Sequence, residues 1–325
     1  MKLPPRKILA RLPTPLIPLE RLSSIAGGPR IWLKRDDTTD TTASGNKLRK
    51  LEFSVGQALA DGADVLITCG GVQSNHCRAT AVVASQLGLG CHLILRGRPD
   101  SPIDGNLLLD RLLGAETRFI TAAEWAEIDA IFADTAAEYR AKGRQPFSIP
   151  TGASDEIGLW GYITACEELK DDFARHNIEP GYVVSAAGSG GTLGGLILGG
   201  HLHNLETRML AFNVCDDEAY FVNKIREDIT KWQLRYDHAI DETLPIDVID
   251  GYVGPGYGRA DDHVFETIAM VARTEGVVFD PVYTGKAFDA LLTEIKGGRF
   301  DDTDDIVFIH TGGIFGLFPQ RNQLQ

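Results

Sequence analysis

Ser44-Gly45-Asn46-Lys47-Leu48-Arg49-Lys50-Leu51-Glu52-Phe53 is the stretch on which the reading of the whole chain turns. Asn46 has the side chain of a good N-cap, and Leu48, Leu51, Val55 and Leu59 follow at helical spacing, so a helix is expected from about Asn46 to Gly62. Lys47 then falls in its first turn, where the positive end of the helix dipole repels an ammonium and favours an anion. The helix start, the neighbouring cation Lys50 and any burial would all favour the neutral amine over the charged one. A neutral amine is a nucleophile, and a lysine lowered from its free value of about 10.4 is what a covalent bond to an aldehyde cofactor requires. The plain alternative is a solvated lysine beside a helix cap; the other motifs of the chain argue against it.

Outward from this helix, apolar runs and helical periodicities alternate. Strands are expected at 65–69, 92–95, 117–120 and 146–149, with helices at 74–87, 106–113 and 122–142 between them. A second run begins near Gly158, with strands at 182–186, 209–214, near Val248 and at 306–310, and helices at 162–175, 192–203, 218–234, 263–274 and after Thr284. Such alternation implies an α/β fold with parallel sheets flanked by helices, and the cleft between two such units is a usual place for a small ligand. The 325 residues suffice for two domains.

Composition narrows the function. Thirty-two basic against 45 acidic residues give a net charge of −13, which argues against a nucleic-acid or anionic-membrane surface. Prolines at 4, 5, 13, 15 and 18 stand where a signal peptide needs an apolar run, and no apolar stretch is long enough to span a membrane, so a cytoplasmic chain is expected. Five scattered cysteines without CxxC spacing argue for reduced, structural thiols rather than a disulfide framework or a zinc site.

Gly188-Ser189-Gly190-Gly191-Thr192-Leu193-Gly194-Gly195 follows an apolar strand and opens a helix, which makes a cradle for a phosphate. It is neither a Walker loop nor a clean dinucleotide fingerprint, so a phosphate monoester fits better than a dinucleotide; a glycine-rich turn serving only tight packing is the rival. Gly70-Gly71-Val72-Gln73-Ser74-Asn75-His76 places Ser74, Asn75 and His76 at a second helix start, suited to a substrate carboxylate, with Ser74 also the N-cap. Tyr257, between Gly256 and Gly258, and Tyr283, in Asp280-Pro281-Val282-Tyr283-Thr284-Gly285-Lys286, offer ring faces and hydroxyls. His310-Thr311-Gly312-Gly313 puts the Thr311 hydroxyl at the carboxyl edge of a buried strand, where ligands of open α/β sheets collect. A lysine for a covalent bond, a phosphate cradle, a carboxylate site and hydroxyls for a ring together describe a pyridoxal-phosphate enzyme of amino acids.

These segments resemble the signatures of the D-cysteine desulfhydrase and 1-aminocyclopropane-1-carboxylate deaminase family, and the similarity runs from about Pro13 to Leu317. The resemblance implies the tryptophan-synthase-β-like fold (fold type II of the pyridoxal 5'-phosphate enzymes), a homodimer, and a large domain of residues 1–51 and 159–325 with a small domain, 52–158, inserted. It makes Lys47 the cofactor-bonding lysine and gives the phosphate to Lys50 and to Ser189, Gly190, Gly191 and Thr192. Asn75 would meet the ring hydroxyl, Ser74 with Asn75 and His76 the substrate carboxylate, Tyr283 the ring, and Tyr257 the substrate; Lys47, Ser74, Tyr257 and Tyr283 are the implied catalytic set. Deaminases of the family carry a glutamate after the tyrosine and an apolar residue before the late Gly-Gly, whereas this chain has Thr284 and Thr311. A hydroxyl partner stabilises a protonated ring nitrogen less than a carboxylate would, so elimination is favoured over ring opening. The expected reaction is α,β-elimination converting D-cysteine to pyruvate, ammonia and hydrogen sulfide; 1-aminocyclopropane-1-carboxylate, cysteate and 3-chloroalanine remain as alternative substrates. Ser44, Phe315 and Trp160 depart from the family's pattern near the expected site and bear on substrate choice.

Overall fold

The computed structural model describes residues 3–240 and 243–324. Among these residues ten strands form two sheets. The larger takes β1 (Leu16–Pro18), β2 (Arg30–Lys34), β7 (Tyr182–Ala187), β8 (Arg208–Asn213), β9 (Asp247–Ile249) and β10 (Asp305–Ile309) in the order β1-β2-β10-β7-β8-β9. Only β1 runs antiparallel in it, Ile17 opposite Leu33. The smaller sheet is wholly parallel and takes β3 (Val65–Gly71), β4 (Gly90–Arg96), β5 (Glu116–Ile120) and β6 (Pro146–Ser148) in the order β5-β4-β3-β6.

Helices cover both sheets because central strands such as β7 and β10 are buried at every residue, and a strand buried on both faces needs a layer on each side. They are α1 (Glu20–Ala26), α2 (Asn46–Ala60), α3 (Asn75–Leu87), α4 (Gly105–Leu112), α5 (Ile128–Ala141), α6 (Trp160–His176), α7 (Gly191–His203), α8 (Glu218–Tyr236), α9 (Asp262–Glu275) and α10 (Thr284–Lys296). Strand β1 and helix α1 went unforeseen because Pro13, Pro15 and Pro18 mask a three-residue edge strand. The single helix expected at 122–142 is a 3₁₀ turn, Glu124–Glu127, followed by α5.

Helix α7 shows how sequence becomes packing. Ten of its thirteen residues are buried, so it has no polar stripe and must be enclosed. Gly195 and Gly199 let α6 approach: a Cβ on Gly195 would stand 2.6 Å from the Leu159 carbonyl oxygen, and one on Gly199 2.8 Å from the Cys166 sulfur. Those glycines serve packing, and the earlier ones, Gly188 to Gly191, form the turn. Three carboxyl-terminal strand ends converge on α2: β7 runs into Gly188, β10 into His310 and Thr311, and β3 into the loop before α3.

Among the described residues no helix is long and apolar enough to cross a membrane. All five cysteines are free thiols.

Candidate active site

Helix α2 begins at Asn46, but its N-cap is Gly45 rather than Asn46. Gly45 sits at φ +109, and a Cβ there would lie 2.5 Å from the Thr311 carbonyl oxygen, which instead accepts the Asn46 N–H at 3.2 Å. This close approach pins the start of α2 against the end of β10. Freed from capping, the Asn46 amide donates to Thr192 Oγ1 at 2.9 Å and accepts from Lys47 Nζ at 3.2 Å. Lys47 thereby points into a cavity lined by Asn46, Asn75, Gly188, Ser189, Gly190, Thr192, Tyr283 and Thr311.

The Lys47 amine is pushed down from 10.5 to about 8. Burial is the chief cause; the Asp280 carboxylate opposes it and the Arg78 guanidinium adds to it. The cation beside it is therefore Arg78, not only the Lys50 that sequence spacing suggested. Lys50 is itself held well below the usual lysine range by burial and by Lys47.

Of the other residues singled out in the sequence, Asn75, Ser189, Gly190, Thr192, Tyr283 and Thr311 line the cavity with Lys47. The rest stand behind its wall. Lys50 is fully buried and reaches the glycine turn only through Ser154, its Nζ lying 3.3 Å from Ser154 Oγ. Gly191 gives its N–H to the same Ser154 oxygen at 3.1 Å. The Ser74 hydroxyl accepts from the Cys77 N–H, which makes it the N-cap of α3. His76 is buried beneath α3 with Nε2 paired to Thr68 Oγ1 at 2.8 Å, and burial holds it well below the usual histidine range, so no charged imidazole faces the cavity. The Thr284 hydroxyl donates to Asp280 Oδ1 at 2.7 Å and accepts the Asp280 N–H at 2.9 Å, which secures the first turn of α10 and leaves it off the cavity wall. Tyr257 joins the site at one remove, its hydroxyl 2.7 Å from that of Tyr283. Burial pushes Tyr257 up to about 12 and Tyr283 well above the usual tyrosine range, so both hydroxyls stay protonated.

The departures from the family's pattern sort themselves by place. Trp160 lies in the core against Phe53, Trp232 and Tyr236, away from the cavity. Phe315 stacks over Arg78 with 4.7 Å from Cζ to the ring centre. Ser44 donates to the Asp37 carbonyl oxygen, while its own carbonyl oxygen accepts from Arg78.

Sequence reasoning missed three groups. Ser154 joins the turn together, donating to Ser189 Oγ at 2.9 Å and accepting from Lys50 and Gly191. Asp280 takes the N–H groups of Val282, Tyr283 and Thr284 on its two carboxylate oxygens. Arg78 lies on α3, four residues into a helix whose start drew all the notice. Asp280 opens the segment that carries Tyr283, where the tyrosine took the attention, while Ser154 and Arg78 belong to no motif with spacing of its own.

The cavity fits pyridoxal phosphate. At the glycine turn, Gly190 takes φ +82, a Cβ on Gly188 would stand 2.7 Å from the Tyr283 ring, and one on Gly191 2.5 Å from Ser154 Oγ. No side chain can fill that turn, and the first N–H groups of α7 have no acceptor within the helix, which is how a helix start takes an anion. A tyrosine ring flanks the space, and a lysine amine lowered to about 8 closes it.

Two parallel-stranded units with such a cavity at their strand ends define a fold type II enzyme dependent on pyridoxal phosphate. The sequence matches the family described as "Pyridoxal-phosphate dependent enzyme" over residues 8–312. The chain belongs to that family and, within it, to the D-cysteine desulfhydrase and 1-aminocyclopropane-1-carboxylate deaminase group. It is 39% identical over 326 residues to the bifunctional D-cysteine desulfhydrase/1-aminocyclopropane-1-carboxylate deaminase of Arabidopsis thaliana, covering 97% of this chain and 80% of that one. It is 39% identical to the D-cysteine desulfhydrase of Serratia proteamaculans, covering 98% and 97%. A crystal structure of a 1-aminocyclopropane-1-carboxylate deaminase homologue superposes with a TM-score of 0.90 at 36% identity, over 99% of this chain and 95% of that one.

Proposed function

We propose that the protein catalyses α,β-elimination from a β-substituted amino acid, with D-cysteine the substrate and pyruvate, ammonia and hydrogen sulfide the products. The observation that carries this choice is the character of the cavity wall. Among the described residues that line it there is no carboxylate, and the lining residue just past the end of β10 is Thr311, whose only polar side-chain group is a hydroxyl. A hydroxyl leaves the cofactor's ring nitrogen a weaker electron sink, which suits loss of a good leaving group such as a thiolate better than opening of a cyclopropane. Bound pyridoxal phosphate would supply the covalent link to the amino group and the delocalisation of charge that loosens the α-proton.

The chain's own residues do the rest. Backbone N–H groups of Ser189, Gly190 and Thr192 hold the phosphate, with Lys50 supporting them through Ser154. Asn75 donates to the ring hydroxyl. Lys47 would hold the cofactor covalently, and its neutral amine would take the substrate's α-proton. The protonated Tyr283 hydroxyl, backed by Tyr257, gives a proton to the departing sulfur. Ser74 at the start of α3 keeps its part in receiving the substrate carboxylate through that helix's N-terminal N–H groups. We also assign residues 52–158 to a small domain inserted between 1–51 and 159–325, supported by the confinement of β3 to β6 to residues 65–148.

The test is a product panel. Both enantiomers of cysteine, with cysteate, 3-chloroalanine and 1-aminocyclopropane-1-carboxylate, are assayed for pyruvate, sulfide and 2-ketobutyrate. Pyruvate with equimolar sulfide from D-cysteine is the expected result. Dominant 2-ketobutyrate from the cyclopropane substrate would defeat the proposal.

A further inference from the structure

Asn75 has one end that only accepts a hydrogen bond and one that only donates, and the end facing the cavity decides whether that wall favours a negative or a positive atom. Its neighbours remove the ambiguity. Asn106, fully buried at the start of α4, lies 2.9 Å from the Gln73 carbonyl oxygen, which can only accept, so Asn106 must turn Nδ2 toward it. Its Oδ1 consequently faces Arg78 Nη1, which can only donate, at 3.0 Å. The remaining hydrogen of Asn106 Nδ2 points at Asn75, 3.1 Å away, and Arg78 Nη1 lies 3.5 Å from the same Asn75 atom. Two donors converge on that atom, so it is the oxygen, and the nitrogen is left for the cavity.

Arg78 cannot reverse this polarity, because a guanidinium never becomes an acceptor. It is also anchored: Nη2 donates to the Ser44 and Ala43 carbonyl oxygens at 2.8 and 3.3 Å, and the Phe315 ring covers it. The same side chain thus holds the turn that precedes Lys47 and, through Asn106, the face that Asn75 presents.

We propose that Arg78 and Asn106 are positioning residues that fix Asn75 as a hydrogen-bond donor toward the cofactor's ring oxygen. The proposal rests on the contact between Asn75 and the ring hydroxyl assigned above.

The test uses the cofactor-free full chain and two ligands without an aldehyde: pyridoxamine 5'-phosphate and its analogue lacking the ring hydroxyl, with affinities measured by equilibrium dialysis. A charge-assisted donor on the ring oxygen should make the parent favour the hydroxylated ligand by about tenfold or more. Asn75→Asp removes the donor outright. Asn106→Asp puts an acceptor against Asn75 Oδ1 and turns the amide over. Both variants should bind the two ligands within about twofold of one another. Asn106→Ala, which removes the lock without adding charge, gives a second route should Asn106→Asp not fold, and a smaller loss in the same direction is expected. If Asn75→Asp loses the preference while a folded Asn106→Asp or Asn106→Ala protein keeps it, the positioning role is wrong and the Asn75 contact stands. If Asn75→Asp keeps the preference, the contact itself is wrong and the inference falls with it.

Discussion

Lys47 and Lys50 lie one turn apart on α2, yet only the first reaches the cavity. A helix advances about 100° per residue, so side chains three apart share a face only approximately. Here that difference sends Nζ of Lys50 to Ser154, behind the glycine turn. The sequence disclosed the residue types at each helix start and hence Lys47, Asn75 and Thr311; it could not show which neighbours turn inward. His76 and Thr284 stand off the cavity wall because each is engaged elsewhere, His76 Nε2 with Thr68 Oγ1 and the Thr284 hydroxyl with Asp280, one partner distant in the sequence and the other hidden in the same turn. The lowered Lys47 amine gives a pH prediction. Below about 8 it is protonated and not nucleophilic; above about 8 it is neutral. The rate at which the cofactor-free protein captures pyridoxal phosphate should therefore rise with pH, reach half its maximum near 8 and level off above it. A rate still climbing steeply at pH 10, as for an ordinary lysine, would show the amine to be solvated.

The elements are held in register by charge as well as by apolar packing. Arg49, on the side of α2 away from the cavity, donates to Asp36 at 2.7 Å, to Glu168 of α6 at 3.0 Å and to Thr14 at 2.9 Å. Tyr162 adds a hydrogen bond to Asp36 at 2.5 Å. Arg49 and Asp36 are both nearly inaccessible to solvent, so removing the cation strands a buried carboxylate. Arg49→Met should lower stability by about 3–5 kcal/mol in denaturant titration. A change under about 1 kcal/mol would mean that water reaches the network and screens it. The strand–helix alternation that gave both sheets was legible because each period is local. This network was not, because it joins residues 14, 36, 49, 162 and 168, whose adjacency exists only after folding.

At the scale of the molecule, Tyr257 connects the two sheets across the site. Its ring lies against Gly71 at the end of β3, where a Cβ would come within 3.0 Å, and beneath Arg96 at the end of β4, with 5.5 Å from Cζ to the ring centre. Its hydroxyl reaches Tyr283, which precedes α10 of the larger unit. Tyr257→Phe keeps the ring in place and removes the hydroxyl that is hydrogen-bonded to that of Tyr283. It should lower kcat by about tenfold or more with KM nearly unchanged, the mark of a group that acts in the transition state. An unchanged kcat would show that Tyr283 needs no support. The claim beneath all of this is that Lys47, and no other lysine, carries the cofactor. Borohydride reduction of the cofactor-loaded enzyme, followed by proteolysis and mass spectrometry, tests it most directly. The account predicts a single phosphopyridoxyl group, on the peptide containing Lys47, and none in Lys47→Ala; the group on Lys50 or any other lysine would contradict it.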